Sequence, residues 1–164
     1  MNRSILKLAI PNIISNITIP LLGLVDMILM GHLGSALYIG AIALGGTIFS
    51  VLYSFFSFLR AGTTGFTAQS LGSGDKTETI YSLYRSLCIG IPIIIFILLL
   101  QTPIAKISTF LLDGSDEVKS LAISYFYIRI WAAPANILLY CLNGWFVGMQ
   151  NTKIPMFIAI LINV

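Results

Sequence analysis

Long apolar runs separated by short polar segments dominate the chain. Four of them lie near residues 5–32, 36–60, 80–101 and 119–149, and the second continues as a helical pattern towards Leu71. Each is long enough to cross a bilayer, because a spanning helix needs about 20 largely apolar residues. A further run, IPMFIAILINV, begins at Ile154 and continues to Val164. The pattern predicts an all-α polytopic membrane helix bundle with four complete spans and the start of a fifth.

The fifth run is the shortest of the series. Its 11 residues, 154–164, cannot cross a bilayer core that is roughly 30 Å thick. We therefore expect the sequence to be an N-terminal fragment of a longer protein, and we expect the helices that complete the bundle to be its partners.

The polar connections carry recognisable helix starts. In LGSGDKTET, Asp75 and Glu78 have the spacing of a capping box, which predicts the start of the third span. Ser115 similarly suits the N-terminus of the fourth span. The connection before it has an amphipathic pattern that predicts a short helix at the membrane interface, with the apolar residues Ile104, Ile107, Phe110 and Leu111.

Composition supports a membrane protein. The chain is 57% hydrophobic and only 9% charged, with a mean hydropathy of +0.96, whereas a soluble domain is about a quarter charged. The net charge of +3 is scattered, so we expect no nucleic-acid partner. The positive-inside rule places the N-terminus in the cytoplasm and the spans in the cell membrane, because six basic residues then lie on or near the inner side: Arg3, Lys7, Arg60, Lys76, Arg85 and Lys153.

Asp26 alone among the six acids lies inside an apolar run. Helical geometry places it on one face with the polar residues Asn12 and Ser15, and with Asn16 at the edge. A polar stripe of this kind faces a bundle interior or a wet cavity, since facing lipid is costly. We expect Asp26 to bind a coupling cation and the three polar residues to line the cavity. The alternative is a structural acid hydrogen-bonded to a neighbouring helix.

Two prolines, Pro11 and Pro20, interrupt the same run. Each removes a backbone hydrogen bond and clashes with the preceding turn, so both predict kinks. Kinked helices with freed carbonyls are common where ions or substrates bind at mid-membrane.

Two other spans carry patterned faces. Small residues on the second span favour close helix packing, with a cavity wall as the alternative: Ala36, Gly40, Ala43, Thr47, Ser50, Ser54 and Ser57. On the fourth span, Asn136, Tyr140 and Asn143 share a face with Arg129 and can hydrogen-bond either a substrate or a partner helix. Gly144 and Gly148 have the spacing of a packing motif.

The sequence gives no sign of an enzyme. His32 has no partner for a zinc site, and Cys88 and Cys141 lie in apolar runs without metal-ligand spacing. There is no P-loop, no G-x-S-x-G and no G-x-G-x-x-G. We expect no catalytic residue, no metal site and no cofactor.

Three segments in order resemble one transporter family. They are LAIPNIISNITIPLLGLVDMILMGHLG, FSFLRAGTTGFTAQSLGSGD and YFYIRIWAAPANILLYCLNGWFVGMQNTKIPM. They are similar to the first, second and fourth helices of multidrug and toxic compound extrusion (MATE) transporters, above all the DNA-damage-inducible F type. The resemblance implies part of a twelve-helix, two-lobe fold. It also implies export of organic, often cationic compounds by alternating access, driven by a proton or sodium gradient.

The same resemblance assigns roles to two residues. It makes Asp26 the coupling acid of the first helix and Pro11 its kink proline, and it places a second acid on the fifth helix beyond Val164. Two alternatives stay open: a flippase of lipid-linked intermediates from the same superfamily, and a truncated membrane fragment that does not transport.

Overall fold

The computed structural model describes residues 36–163 together with Ile10, Ile13 and Ile28. Within residues 36–163 the chain is helical and contains no strand. The elements are α1 (Ala36–Phe55), α2 (Ser57–Gly72), α3 (Lys76–Leu99), α4 (Gln101–Leu111), α5 (Asp116–Arg129), a 3-10 turn (Ile130–Ala132), α6 (Ala133–Gly148) and α7 (Lys153–Asn163). The predicted all-α membrane bundle is confirmed. The first expected span, 5–32, lies outside the described residues apart from the three isoleucines.

Three helical stretches are long and apolar enough to cross a membrane. They are Leu37–Gly72 with 36 residues, Lys76–Leu99 with 24 and Asp116–Gly148 with 33. They correspond to the runs expected at 36–60, 80–101 and 119–149. Two of the stretches contain a break, because α1 passes into α2 and α5 passes into α6 with almost no connecting residues.

Side-chain caps fix where α3 and α5 begin. The Asp75 carboxylate accepts a hydrogen bond from the Glu78 amide at 2.9 Å, so α3 begins at Lys76, before the apolar run itself. The Ser115 hydroxyl accepts from the Val118 amide at 3.4 Å at the start of α5. Both predicted helix starts are confirmed.

The break between α5 and α6 has a proline as its cause. Pro134 has no N–H, and its ring clashes with the carbonyl four residues earlier, that of Ile130. The chain accommodates this as the 3-10 turn Ile130–Ala132, which leaves Pro134 in the first turn of α6. In contrast, α3 continues through Pro92 without interruption.

The break at Phe56 has no proline and was not predicted. The Phe56 amide donates to the Tyr53 carbonyl at 3.1 Å, a tighter turn than an α-helix makes. The hydroxyls of Ser54 and Ser57 bond to carbonyls of the preceding turn, at 2.6 and 2.8 Å. Such back-bonding often bends helices.

The helices pack in two groups. Helices α2, α3 and α6 pack against one another, while α1 packs against α5, and α4 against the same α5. The buried cluster joins α1, α3, α4, α5 and α6 through Ile48, Phe49, Ile97, Ala105, Phe126, Ile130, Ala133 and Ile137. Helix α4 instead exposes much of its apolar side, with Ile107 58% and Phe110 87% exposed, as expected of a helix at the membrane interface.

The small-residue face of the second span is packed at only one described position. Gly40 lies against Val118, where an added Cβ would be 3.3 Å from Cγ1. The remaining described residues, Ala43, Thr47, Ser50, Ser54 and Ser57, are exposed, so within the described residues this face meets no partner helix there, and its close-packing role stays a prediction. The buried face of α1 is offset from this stripe, because the larger side chains Ile48 and Phe49 fill the contact with α5.

Candidate functional site

The contact between α2 and α6 is made through glycines. A Cβ added at Gly144 would lie 2.7 Å from the Arg60 carbonyl oxygen and 2.9 Å from Thr63 Cβ. One at Gly148 would lie 2.8 Å from the Thr64 carbonyl oxygen. The predicted packing role of both glycines is confirmed. We call this the glycine contact, formed by Gly144 and Gly148 of α6 against Arg60, Thr63, Thr64 and Thr67 of α2.

Side-chain groups also tie this part of the bundle together. The Thr64 hydroxyl donates to the Gly144 carbonyl at 3.1 Å, and the Trp145 indole donates to the Thr79 carbonyl at 2.8 Å. The Cys141 thiol lies 3.3 Å from the Ser86 carbonyl. Helix α6 is therefore joined to both α2 and α3 by hydrogen bonds as well as by close backbone approach.

The contact between α1 and α5 is made through rings. The Phe49 ring stacks on Phe126, with centroids 5.3 Å apart, and meets the edge of Tyr125 at 6.4 Å. It also stacks on Tyr53 of its own helix at 5.8 Å. We call this the aromatic contact, formed by Phe49 and Tyr53 of α1 with Tyr125 and Phe126 of α5.

Arg129 lies at the edge of the aromatic contact. Its Nη1 donates to the Tyr125 hydroxyl, and its guanidinium carbon lies 5.2 Å from the Phe49 ring centroid and 5.4 Å from that of Tyr125. A cation over aromatic faces at such distances is attracted by the ring quadrupoles. Arg129 remains an exposed residue.

Two of the predicted cavity residues meet the aromatic contact. The Asn136 amide donates to the Tyr53 hydroxyl at 3.2 Å and to the Ala132 carbonyl at 3.1 Å. Tyr140 meets the edge of the Tyr53 ring, with centroids 6.5 Å apart. Tyr53 is a member of this candidate site that the sequence did not predict. Its one sequence signal is an aromatic residue four positions earlier, Phe49, on the same helix face.

The third predicted residue of the fourth span, Asn143, lies beside the glycine contact. Its Oδ1 atom is buried and has no hydrogen-bond partner among the described residues, and the same is true of the Thr67 hydroxyl. A buried amide oxygen without a partner is unfavourable by about 1–3 kcal/mol. In the described part of the chain, Asn143 therefore has no hydrogen bond to the aromatic contact, unlike Asn136 on the same helix.

The predicted residues of the first span lie outside the described ranges. These are the coupling acid Asp26, the kink prolines Pro11 and Pro20, and the cavity candidates Asn12, Ser15 and Asn16. Their roles stay predictions. Among the described residues, no group of three or more His, Cys, Asp or Glu side chains lies together.

Two surface grooves lie outside the aromatic contact. One, of about 240 Å³, runs between α2 and α3 and includes Phe58, Phe66 and Arg85. The other, of about 260 Å³, runs between α1 and α4 and includes Phe55 and Ile107. Both have mainly apolar walls.

Comparison with known proteins gives consistent results over almost the whole sequence. The family model described as MatE matches residues 11–164. The chain is 37% identical over 163 residues to DNA damage-inducible protein F of Escherichia coli (strain K12), covering 99% of this chain and 36% of that protein. It is 27% identical over 170 residues to multidrug resistance protein MdtK of Yersinia pestis (strain Pestoides F), with the same coverage. The chain thus spans about a third of the length of these relatives.

Proposed function

The chain belongs to the MatE family, and on that premise we propose that it forms part of the N-terminal lobe of a membrane antiporter. The antiporter exports organic compounds, often cationic, in exchange for protons or sodium ions. The observation that carries this proposal is the family match, which includes all but the first ten residues. The multidrug resistance protein among the relatives supports the organic substrate class.

The polar groups of the described spans fit a transport cavity. Arg129, Asn136, Tyr140 and Tyr53 come from three different helices and meet at one contact. Polar groups in spans are costly against lipid and therefore face a bundle interior or water. We assign the aromatic contact to the cavity wall and the glycine contact to the closed, helix-packed part of the lobe.

Asp26 is the residue to which we assign coupling. A carboxyl in an apolar span holds a proton or another cation when water is excluded, and releases it when it is hydrated. A proline has no N–H for the carbonyl of the preceding turn, so we expect a helix through Pro11 to bend as the charge of Asp26 changes. The proposal thereby links cation binding to the shape of the cavity, with the N-terminus in the cytoplasm.

The test compares two aspartates in the full-length protein reconstituted into vesicles. Asp26→Asn removes the ionisable group inside the span, and Asp113→Asn removes an exposed acid between α4 and α5 as a matched control. Export of ethidium is measured under an imposed proton gradient and, separately, a sodium gradient. We expect Asp26→Asn to reduce gradient-driven export to that of protein-free vesicles and Asp113→Asn to retain it. Unchanged export by correctly inserted Asp26→Asn protein would remove Asp26 from the coupling step.

A further inference from the structure

Arg129 lies inside a membrane-crossing stretch, in its N-terminal half and beyond the charged first residues Asp116, Glu117 and Lys119. The stretch Asp116–Gly148 has 33 residues, Ala132 is its middle residue, and Arg129 lies one helical turn earlier. A bilayer core takes up about 20 residues of a helix. A segment of that length centred on the stretch therefore contains Arg129. An arginine at such a depth is costly against lipid and marks a substrate or ion pathway by default.

The surroundings of Arg129 neutralise little of its charge. Among the residues that the structure describes, the one ion pair joins Arg85 to Glu78 at the start of α3, and no acid lies within ion-pair distance of Arg129. Its neighbours are the rings of Phe49 and Tyr125 and the Tyr125 hydroxyl. These groups orient the guanidinium but carry no compensating negative charge.

Among the described residues, most of the N–H donors of Arg129 also have no hydrogen-bond partner. A guanidinium carries several N–H donors in a planar fork that matches a carboxylate, sulfonate or phosphate. Only Nη1 has a partner within the described part of the chain, the Tyr125 hydroxyl. Because the residue is exposed, the remaining donors are accessible to a ligand that approaches the aromatic contact.

We propose that Arg129 is a binding centre for the anionic group of an amphipathic organic compound, with the rings of the aromatic contact receiving the apolar part. The charge of Arg129 selects the anion, since charge-assisted hydrogen bonds from a guanidinium are among the strongest in proteins. Phe49 and Tyr125 hold the guanidinium in place by their faces, and Tyr53 and Tyr140 extend the ring surface beside it. The inference rests on the proposed export of organic compounds and adds a substrate class that includes anions and zwitterions.

The test measures binding to the purified full-length protein in nanodiscs, without any gradient. The probes are 8-anilino-1-naphthalenesulfonate and N-phenyl-1-naphthylamine, which lacks only the sulfonate. The saturable part of binding is obtained by equilibrium dialysis against empty nanodiscs. The variants are Arg129→Gln, Arg129→Lys and, as a matched control, Arg85→Gln on α3.

We expect the wild-type protein to bind the sulfonate about tenfold or more tightly than the neutral probe, the scale of one charge-assisted hydrogen bond. Arg129→Gln should remove this preference while the affinity for the neutral probe stays the same, which also shows that the variant is folded. Arg129→Lys should retain part of the preference because it keeps the charge, and Arg85→Gln should retain all of it.

Three results would overturn the assignment. The first is a wild-type protein without sulfonate preference, as expected if an acid of the protein itself neutralises Arg129. The second is an Arg129→Gln variant that keeps the preference. The third is a loss confined to Arg85→Gln, which would move the anion site to the groove between α2 and α3. Because no gradient is used, a failure of Asp26-dependent export leaves this readout unaffected, so the two proposals fail separately.

Discussion

The glycine contact brings the backbone of α6 against that of α2, whereas α1 and α5 meet through the rings of the aromatic contact. At Gly144 the nearest obstacle to a side chain is the Arg60 carbonyl oxygen, 2.7 Å from the added Cβ. At Gly45, on the face of α1 that meets α5, the nearest obstacle is the Tyr125 ring through its Cδ1 atom, closer still than the Arg60 oxygen is at Gly144. Backbone atoms cannot move aside without displacing a helix, while a ring can rotate.

This difference separates two tasks within one small bundle. Helices in a membrane gain little from the hydrophobic effect, so close approach of small residues supplies much of their association. The glycine contact depends on such close approach of small residues, and it leaves no room for a ligand. At the aromatic contact the helices associate through larger side chains. The guanidinium of Arg129, the amide of Asn136 and the phenols of Tyr53 and Tyr140 lie at its edge.

The largest expected effect is the loss of the glycine contact. In Gly148→Ala the new methyl group would lie 2.6 Å from Thr67 Cβ and 2.8 Å from the Thr64 carbonyl oxygen. We expect the full-length protein to lose about 1–3 kcal/mol of unfolding free energy, as in other overpacked contacts. Gly65→Ala on α2 is the control, since nothing lies within 4 Å of its added Cβ. Unfolding titrations in mixed micelles measure both, and equal stability of the two variants would refute rigid packing at Gly148.

A smaller effect is expected at the aromatic contact. In Gly45→Ala the methyl group meets the Tyr125 ring, which can shift, and alanine also favours the helix by up to about 1 kcal/mol over glycine. We expect an unfolding free energy within about 1 kcal/mol of wild type. Gly46→Ala, with nothing within 4 Å, is the matched control and should be neutral or slightly stabilising. A loss at Gly45 as large as that at Gly148 would remove the distinction between the contacts.

Features that follow from local sequence were predictable. Apolar run length predicted the helical class, Asp75 and Ser115 fixed two helix starts, and the spacing of Gly144 and Gly148 predicted close packing. Each depends on residues near one another in the chain or on a single helix face.

Features that depend on which helices meet were not predictable. The exposed stripe of α1 was interpreted as a packing face because small residues suit both a tight contact and an open wall. The role of Tyr53 depends on a hydrogen bond from Asn136, which lies on a helix far away along the sequence. The only sequence feature that indicated the break at Phe56 was a weak one, the two serines Ser54 and Ser57 beside it. Asp26, the central prediction of the sequence, lies outside the described residues and still awaits its test.

The most direct test of the account is whether water reaches the aromatic contact. Single cysteines are placed at Ser50, an exposed residue three positions before Tyr53 on α1, at Arg129, and at Ile95, an exposed apolar residue of α3. The background carries Cys88→Ser and Cys141→Ala, and the full-length protein is held in nanodiscs. A charged, membrane-impermeant methanethiosulfonate reacts with thiols that meet water and not with thiols covered by lipid.

We expect rapid modification of Ser50→Cys and Arg129→Cys and protection of Ile95→Cys, measured by the mass added to the intact protein. Protection of both Ser50→Cys and Arg129→Cys at the level of Ile95→Cys would place the aromatic contact against lipid, and it would contradict the assignment of this contact to a transport cavity.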